Sequence, residues 1–528
     1  MKPYPLSVHT FEKLIRDGSL YVDKTDRIHR LVSRPSGAFF LSRPRRFGKS
    51  LLLSTLKAVF LGEQDLFKGL AIDKLPYDWK PHPVIHLDLA PKEISRASDL
   101  RDYLSYEIGR IARENGIELE TSAHEERFLE LIRQLHEVKG KVVVLVDEYD
   151  KPILGNIENA AVVKEIQRAL KAFYSVLKSA DPYLRFVILT GVTKFSKVSV
   201  FSDLNNLRDL SMDPEHADLL GYTEAELSSY FGEAIQALSV KEGSTYEKTL
   251  EKIRTWYNGY RFSRGLTAVY NPVSVMSLLE TQEFRNYWFE TGTPTFLINL
   301  LKAGQVALAE LPGMELSERA FSAYEVEHVD ALPLLYQTGY LTIQHHDPER
   351  RTYRLDFPNE EVRSSFSECL VESFSSVGQG QVESHIVRLE RALEAGDVEG
   401  AMEGLKIFFA NIPYDVQLSN ERYYQTIFYV VFLLLGHRIS VEERTSVGRI
   451  DAVVETKKRV FVFEFKLHGT AAEALSQIRD RKYHEKYLAS GKELTLVGAA
   501  FDEKTRNLGE WIVESTSSAP TTGSRPIS

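Results

Sequence analysis

The sequence has a single cysteine, Cys369, among its 528 residues. One thiol cannot form an internal disulfide, and it cannot supply the several thiolates of a cysteine-based zinc site. The first ten residues contain no hydrophobic signal core, and the longest apolar run, residues 427–435, is far shorter than the roughly 20 residues that span a bilayer. We therefore expect a soluble, cytoplasmic protein without a membrane segment.

A large excess of one charge is also missing. The chain carries 65 Lys and Arg residues against 74 Asp and Glu residues, a net charge of −9, which excludes a generic polycation that coats nucleic acid. With 43% hydrophobic and 26% charged residues, the composition is that of an ordinary globular protein, not of a disordered or collagen-like chain. At about 150 residues per domain, the length corresponds to three or four domains.

Short apolar segments alternate with longer amphipathic ones in the first part of the chain. Strands are predicted at residues 38–41, 84–88, 142–146 and 186–190. Helices are predicted near residues 50–60, 98–115, 124–138 and 159–179. This alternation predicts an α/β fold with a parallel sheet and crossover helices on its faces.

Beyond Gly191 the pattern becomes mostly helical. Residues 331–358 read as helix, strand, turn and strand, which is compatible with a small winged helix. A last α/β unit is predicted from helices at 420–436 and 470–486 and strands near 447–454, 459–466 and 494–501. The predicted domains are residues 1–215, 216–375 and 376–514, with a disordered tail at 515–528.

The segment Arg43-Pro44-Arg45-Arg46-Phe47-Gly48-Lys49-Ser50 lies between a predicted strand and a predicted helix, the context that a phosphate-binding loop requires. Backbone N–H groups and the positive end of the helix would surround the phosphates, and Lys49 would reach the β and γ oxygens. Ser50 would bind Mg²⁺ through its hydroxyl. Arg43 stands where this loop usually has glycine, so one conformationally permissive position is lost. The predicted nucleotide-binding residues here are Arg45, Arg46, Phe47, Gly48, Lys49 and Ser50.

Two acids, Asp147 and Glu148, end a later hydrophobic strand. An acid at the carboxyl end of a parallel strand faces the crevice in which such sheets bind ligands. Asp147 would support Mg²⁺, Glu148 would polarise the attacking water, and Thr190 at the end of the next strand would sense the γ-phosphate. Alternatively, Asp147, Glu148 and Asp150 are solvated acids in a turn. The phosphate-loop candidate upstream favours the nucleotide site.

A second group of charged residues lies near the carboxyl terminus. Alternation along a strand puts Glu464 and Lys466 on one face, and Asp451 on the preceding strand can face them in a hairpin. Carboxylates suit Mg²⁺ or Mn²⁺, and Lys466 would orient a water molecule or neutralise charge on a phosphodiester. The catalytic residues predicted here are Asp451, Glu464 and Lys466, and both acids are also metal ligands.

Glu421, on the helix before these strands, could supply another metal ligand. Gln477 and Tyr483 follow on the next helix, but their spacing does not put them on one clean face. The alternative for Glu464 and Lys466 is a solvated sheet edge. Their apolar neighbours favour an interior strand instead, where a charge is costly without a partner such as a metal.

Together these motifs resemble bacterial AAA-ATPase-like proteins that carry a carboxy-terminal PD-(D/E)XK nuclease-like domain. The residues that carry the resemblance are 43–50, 146–150, 189–196, 204–210, 256–262, 448–451 and 464–466. The resemblance implies a P-loop ATPase fold, a restriction-endonuclease-like fold and ATP as the nucleotide. An arginine at position 43 is similar to what this family carries.

We therefore expect an ATP-binding and ATP-hydrolysing protein whose Mg²⁺-dependent nuclease domain cleaves DNA under nucleotide control. One alternative is a nucleotide-switched interaction protein with a silent nuclease fold, and another is a DNA-stimulated ATPase that binds without cleaving. Assembly into a homo-oligomer stays open. Arg208 is either an arginine finger or a structural arginine, and the aromatic residues between 256 and 262 either stack on bases or form core.

Overall fold

The structure is a computed structural model of the whole chain. The described residues are 2–6, 8–34, 36–194, 207–265, 267–288, 295–302, 313–318, 321, 331–375, 379–411, 431–432, 434–435, 440–445, 448–466, 468–482, 484–502, 504–505 and 507–516. They belong to two compact units. The first unit comprises residues 1–300 and 311–362, and the second comprises residues 301–310 and 363–528.

A five-stranded parallel sheet forms the centre of the first unit. Its strands are β1 (Ala38–Ser42), β2 (Val84–Asp88), β3 (Val142–Asp147), β4 (Leu184–Gly191) and β5 (Leu207–Asp209). The spatial order is β2-β3-β4-β1-β5, and all neighbours run parallel. Because β4 lies between β1 and β3, the segments that follow these three strands meet at one edge of the sheet.

Helices cover the sheet of the first unit. They are α1 (Phe11–Arg16), α2 (Thr25–Val32), α3 (Lys49–Phe60), α4 (Ala97–Glu114), α5 (His124–Lys139), α6 (Lys151–Leu154) and α7 (Ala160–Ser179). All six residues of β3 are buried, so this strand is covered on both faces, as expected for a parallel sheet. The parallel α/β fold predicted from the sequence is confirmed.

The middle of the chain is mostly helical, as predicted. It contains α8 (Glu224–Lys241), α9 (Tyr246–Tyr257), α10 (Pro272–Thr281), α11 (Thr295–Lys302) and α12 (Ala331–Thr338). A capping box between Thr223 and Glu226 starts α8. The same region contains a three-stranded antiparallel sheet of β6 (Met314–Ser317), β7 (Thr342–Asp347) and β8 (Thr352–Asp356). The strand order in this sheet is β6-β8-β7. The helix, strand, turn and strand expected from residue 331 onward are present.

The second unit is built around a mixed five-stranded sheet. Its strands are β9 (Ser440–Thr445), β10 (Gly448–Glu455), β11 (Arg459–Lys466), β12 (Glu493–Asp502) and β13 (Asn507–Thr516), in the order β13-β12-β11-β10-β9. Its helices include α13 (Glu360–Ser375), which begins in the first unit, α14 (Gln379–Ala395), α15 (Val398–Ala410) and α16 (Ala471–Asp480). Strands β11 and β12 are parallel, and α16 lies between them in sequence.

Two strands of the second unit and the end of one helix differ from the sequence prediction. Strands β9 and β13 were not predicted because they are the edges of the sheet, where polar residues obscure an apolar pattern. Helix α16 ends at Asp480, six residues before the predicted end, and Lys482 has a positive φ of 56°. In the part of the chain that the structure describes, no helix has the length and apolar character needed to cross a bilayer.

Candidate nucleotide and metal sites

The loop between β1 and α3 has the backbone of a phosphate-binding loop. Gly48 adopts a φ of 91°, a left-handed conformation that favours glycine, and α3 begins at Lys49. The Lys49 ammonium is buried and donates hydrogen bonds to the carbonyl oxygens of Arg43 (2.9 Å) and Pro44 (3.0 Å). Burial lowers the pKa of Lys49, and the charges of Glu148 and Asp147 oppose that shift. Lys49 therefore lies inside the loop, at the positive end of α3.

Arg43 occupies the position at which the common motif has glycine, and its hydrogen bonds stabilise the loop. Its guanidinium is buried and donates to the carbonyl oxygens of Ser42 (2.9 Å), Ser211 (2.7 Å) and His216 (3.1 Å). It also lies 4.3 Å from the centre of the Phe262 ring. Burial lowers the pKa of Arg43 to about 10. Where the common motif has glycine, this protein thus has an arginine that contacts residues far along the chain.

A cavity of about 740 Å³ lies against this loop, within the size range of small-molecule sites. The predicted residues that line it are Arg45, Arg46, Phe47, Gly48, Lys49, Ser50 and Glu148. Apolar side chains such as Val8, Val22, Leu220 and Met276 form much of the remaining wall. The cavity wall therefore combines cationic residues of the loop with apolar side chains.

Asp147 and Thr190 lie together but are not among the cavity-lining residues. Asp147 is 3% exposed, and its Oδ1 accepts hydrogen bonds from the Thr190 hydroxyl (2.6 Å) and the Glu148 N–H (3.0 Å). Glu148 has a positive φ of 49°, which is uncommon for a residue other than glycine. The strand register and these bonds bring Asp147, Glu148 and Thr190 together beside the loop.

Asp150 is a buried residue that sequence reasoning treated only as a turn acid. Its Oδ2 accepts hydrogen bonds from Val192 N (3.0 Å), Thr193 N (2.6 Å) and the Thr193 hydroxyl (2.7 Å). Burial raises the pKa of Asp150 despite these donors. Asp147 and Asp150 are therefore not solvated acids, and Asp150 fixes the segment that follows β4.

Arg208 and the aromatic residues between 256 and 262, the other two candidates from the sequence, contact neighbouring side chains of this chain. Arg208 donates to Asp213 at 2.7 Å within the same chain. Tyr260 and Phe262 are buried and pack edge-on against Phe47 of the loop, with ring centroids 4.8 and 5.3 Å away. The aromatic cluster thus forms core beneath the phosphate loop.

In the second unit, Glu464 and Lys466 end β11 on the same side, as alternation predicts. Glu464 is 3% exposed, and its Oε1 lies 3.9 Å from the Lys466 ammonium. The side-chain amide of Gln477 on α16 donates to Glu464 and accepts from Lys466. These three side chains form one cluster, and Gln477 is the member that the sequence did not assign.

Asp451 lies on the strand next to this cluster. The antiparallel ladder of β10 and β11 begins with the pair Ala452 and Phe463. Asp451 comes directly before Ala452 on β10, and Glu464 comes directly after Phe463 on β11. The backbones of the two acids therefore occupy adjacent positions on neighbouring strands. The Asp451 side chain, Glu421 and Tyr483 lie outside the described residues.

The donor chemistry of this region fits a hard divalent cation. Glu464 offers a carboxylate that is nearly inaccessible to water, and a buried carboxylate is costly unless charges or donors compensate it. Oxygen ligands of this type suit Mg²⁺ and Mn²⁺. Glu464 is the predicted ligand whose side chain the structure describes, and its burial fits this donor chemistry. Asp451 stays a predicted ligand.

Two family matches cover the regions that contain these sites. Residues 5–201 match a family described as predicted AAA-ATPase, and residues 419–511 match the PD-(D/E)XK nuclease superfamily. Among solved structures, the Aeropyrum pernix ORC1 protein in complex with DNA is 12% identical, with a TM-score of 0.25, over 66% of this chain and 93% of that one. The Aeropyrum pernix ORC2 protein, as ADPNP–ADP complexes, is 12% identical, with a TM-score of 0.28, over 68% of this chain and 92% of that one.

A sequence relative matches nearly the whole chain. It is described as an uncharacterised protein in the vnfD 5′ region of Azotobacter chroococcum mcd 1, and it is 40% identical over 97% of this chain and 99% of its own length. With both domain matches in the same order as the two predicted sites, the chain belongs to the AAA-ATPase-like family that carries a carboxy-terminal PD-(D/E)XK nuclease superfamily domain.

Proposed function

We propose that the chain binds and hydrolyses ATP in its first unit and cleaves DNA phosphodiesters at a Mg²⁺-dependent site in its second unit. Cleavage is under the control of the bound nucleotide. The cluster of Glu464, Lys466 and Gln477 is the observation that carries the nuclease part. A carboxylate buried at the end of an apolar strand is costly without a compensating charge, and Glu464 is buried beside the partly exposed Lys466.

The loop that lines the 740 Å³ cavity with Arg45, Arg46 and Lys49 supports the nucleotide part. Lys49 and the N–H groups at the start of α3 bind the phosphates, and Arg45 and Arg46 add positive charge in the same loop. Ser50 and Asp147 would hold Mg²⁺ at the phosphates. Glu148 orients the attacking water, and Thr190 senses the γ-phosphate.

At the nuclease site, Glu464 and Asp451 would hold Mg²⁺ or Mn²⁺, with Glu421 as a further ligand. The bound cation supplies Lewis acidity and a water molecule of lowered pKa. Lys466 neutralises negative charge on the phosphodiester and orients the water. Gln477 fixes the Glu464 carboxylate and the Lys466 ammonium relative to each other, since its amide contacts both.

DNA is the proposed substrate because residues 421–500, which contain these acids, have more Lys and Arg than Asp and Glu, although the whole chain is acidic. Local positive charge is what phosphate contacts require. Nucleotide binding at Lys49, Ser50 and Asp147 controls cleavage by favouring one conformation of the chain over another.

Cleavage of a supercoiled plasmid tests the proposal. Wild-type protein with Mg²⁺ should nick the plasmid, and the nicking rate should change when ATP is added. Asp451→Ala and Lys466→Ala should abolish nicking, and Lys457→Ala, an exposed lysine of the same hairpin, should not. Nicking that survives both substitutions would exclude this site. ATP hydrolysis stimulated by DNA without any strand break would favour a DNA-binding ATPase instead.

A further inference from the structure

Glu361 is a buried carboxylate that none of the predicted sites uses. It lies at the second residue of α13 and is 0% exposed. One carboxylate oxygen accepts from the backbone N–H of Trp288 at 2.7 Å, and the other accepts from the Ser274 hydroxyl at 2.8 Å. The backbone N–H of Tyr287 also donates to this carboxylate. A buried carboxylate with this many donors holds the segments that supply them.

The Tyr287 and Trp288 pair in turn contacts the phosphate loop. The Arg46 guanidinium donates to the Tyr287 carbonyl oxygen at 3.1 Å, and the Trp288 indole N–H donates to the Arg45 carbonyl oxygen at 3.3 Å. Arg46 has a positive φ of 67°, a conformation that a non-glycine residue keeps only when its surroundings hold it. Glu361 is therefore connected to the loop through the hydrogen bonds of Tyr287 and Trp288.

Ser274 connects the same carboxylate to a helix that lines the cavity. It lies on α10, between Val273 and Met276, and both of these neighbours line the cavity. The hydrogen bonds of Glu361 thus join α10, which lines the cavity, to the pair of residues that contacts the phosphate loop.

We propose that Glu361 is a positioning residue of the nucleotide site, which holds Tyr287 and Trp288 so that Arg45 and Arg46 keep the conformation in which the loop binds phosphate. The proposal rests on the ATP-binding part of the proposed function. Among the described residues, the charged and titratable groups that interact with this carboxylate include Arg46, Tyr257 and Tyr260.

The test is the affinity of the full-length chain for a fluorescent ATP analogue, with folding monitored by circular dichroism. Glu361→Ala should weaken the affinity about tenfold because the loop loses its support. Glu361→Gln should restore most of it, since an amide oxygen can accept from Trp288 N and an amide N–H can donate to Ser274. Glu233→Ala, an exposed acid on α8, is the control.

A double-mutant cycle separates positioning from a general loss of stability. In an Arg46→Met background, Glu361→Ala should weaken the affinity less than in the wild-type background, because one of the two contacts through which Glu361 supports the loop is already absent. If Glu361→Ala does not fold, Trp288→Phe replaces it, which removes the indole donor to Arg45 and should weaken the affinity about threefold.

The outcomes distinguish this inference from the function on which it rests. A wild-type chain that binds no analogue would overturn the nucleotide site, and the inference with it. A wild-type chain that binds, together with a folded Glu361→Ala variant of equal affinity, would overturn the inference alone. Additive effects in the double-mutant cycle, or a Trp288→Phe variant of unchanged affinity, would also overturn it.

Discussion

The Lys49 ammonium donates a hydrogen bond to the carbonyl oxygen of Arg43 at 2.9 Å, so the lysine is held by the loop that it would serve. A nucleotide phosphate can replace the carbonyl oxygen as the acceptor, and the bond strengthens because a phosphate is charged. Burial lowers the pKa of Lys49, and a phosphate beside the ammonium would counter that shift.

Removal of this ammonium should therefore weaken nucleotide binding. Lys49→Ala should raise the dissociation constant for an ATP analogue at least about tenfold, since a charge-assisted bond of about 1.5–3 kcal/mol is lost. Isothermal titration calorimetry measures the change. Lys57→Ala, an exposed lysine on the same helix, is the matched control. An unchanged dissociation constant for Lys49→Ala would rule out phosphate binding by this loop.

Restoring the glycine of the common phosphate-loop pattern should harm this protein. Arg43→Gly leaves the buried carbonyl oxygens of Ser211 and His216 without their donor. The free energy of unfolding should fall by about 3 kcal/mol, as measured by denaturant titration. Arg43→Lys, which keeps the charge but reaches fewer acceptors, should lie between the two. Equal or greater stability of Arg43→Gly would contradict a bracing role.

The stability of the first unit should depend on pH through Glu361. Burial raises the pKa of Glu361 to about 7 in the folded state, against about 4.3 in an unfolded chain. The folded state thus binds the proton more tightly, and this residue's contribution to stability is full below about pH 4 and lost as pH rises toward 7. Glu361→Gln has no such titration.

The wild-type protein should therefore lose stability relative to the Glu361→Gln variant as pH rises. Between pH 4 and pH 8 the difference in their free energies of unfolding should shift by up to about 3 kcal/mol in favour of the variant. Thermal or denaturant unfolding at several pH values checks this. Parallel pH profiles of the two proteins would show that Glu361 does not titrate in this range.

Gln477 should affect cleavage without binding substrate itself. Gln477→Ala removes the amide that contacts both Glu464 and Lys466, and the rate of plasmid nicking should drop about 10- to 100-fold. Ser476→Ala, at the neighbouring exposed position of α16, is the control. Equal nicking rates for the two variants would mean that the amide does not position the pair.

The sequence predicted strands β1 to β4 of the first sheet because they are short apolar segments. It did not predict β5, which has only three residues, two of them partly exposed. Strand β3 was predicted at 142–146 and found at Val142–Asp147. The brace at Arg43 could not be predicted, because its acceptors Ser211 and His216 lie more than 160 residues further along the chain. Local spacing carries no information on such contacts.

In the second unit, alternation along β11 was sufficient to pair Glu464 with Lys466. Gln477 was noted on the following helix but assigned no role, because its contacts depend on how α16 packs against β11, which helical spacing alone does not specify. The edge strands β9 and β13 were missed because one or both faces of an edge strand carry polar residues. Sequence reasoning was thus reliable for buried strands and for residues on one strand.

In the proposed function, one chain has both a nucleotide site and a separate divalent-cation site. Crystals grown with Mn²⁺ and a non-hydrolysable ATP analogue test it directly through anomalous scattering. We expect a manganese peak in contact with the Glu464 carboxylate and a triphosphate at the loop that contains Lys49. A bound nucleotide with no manganese beside Glu464 at millimolar Mn²⁺ would contradict it.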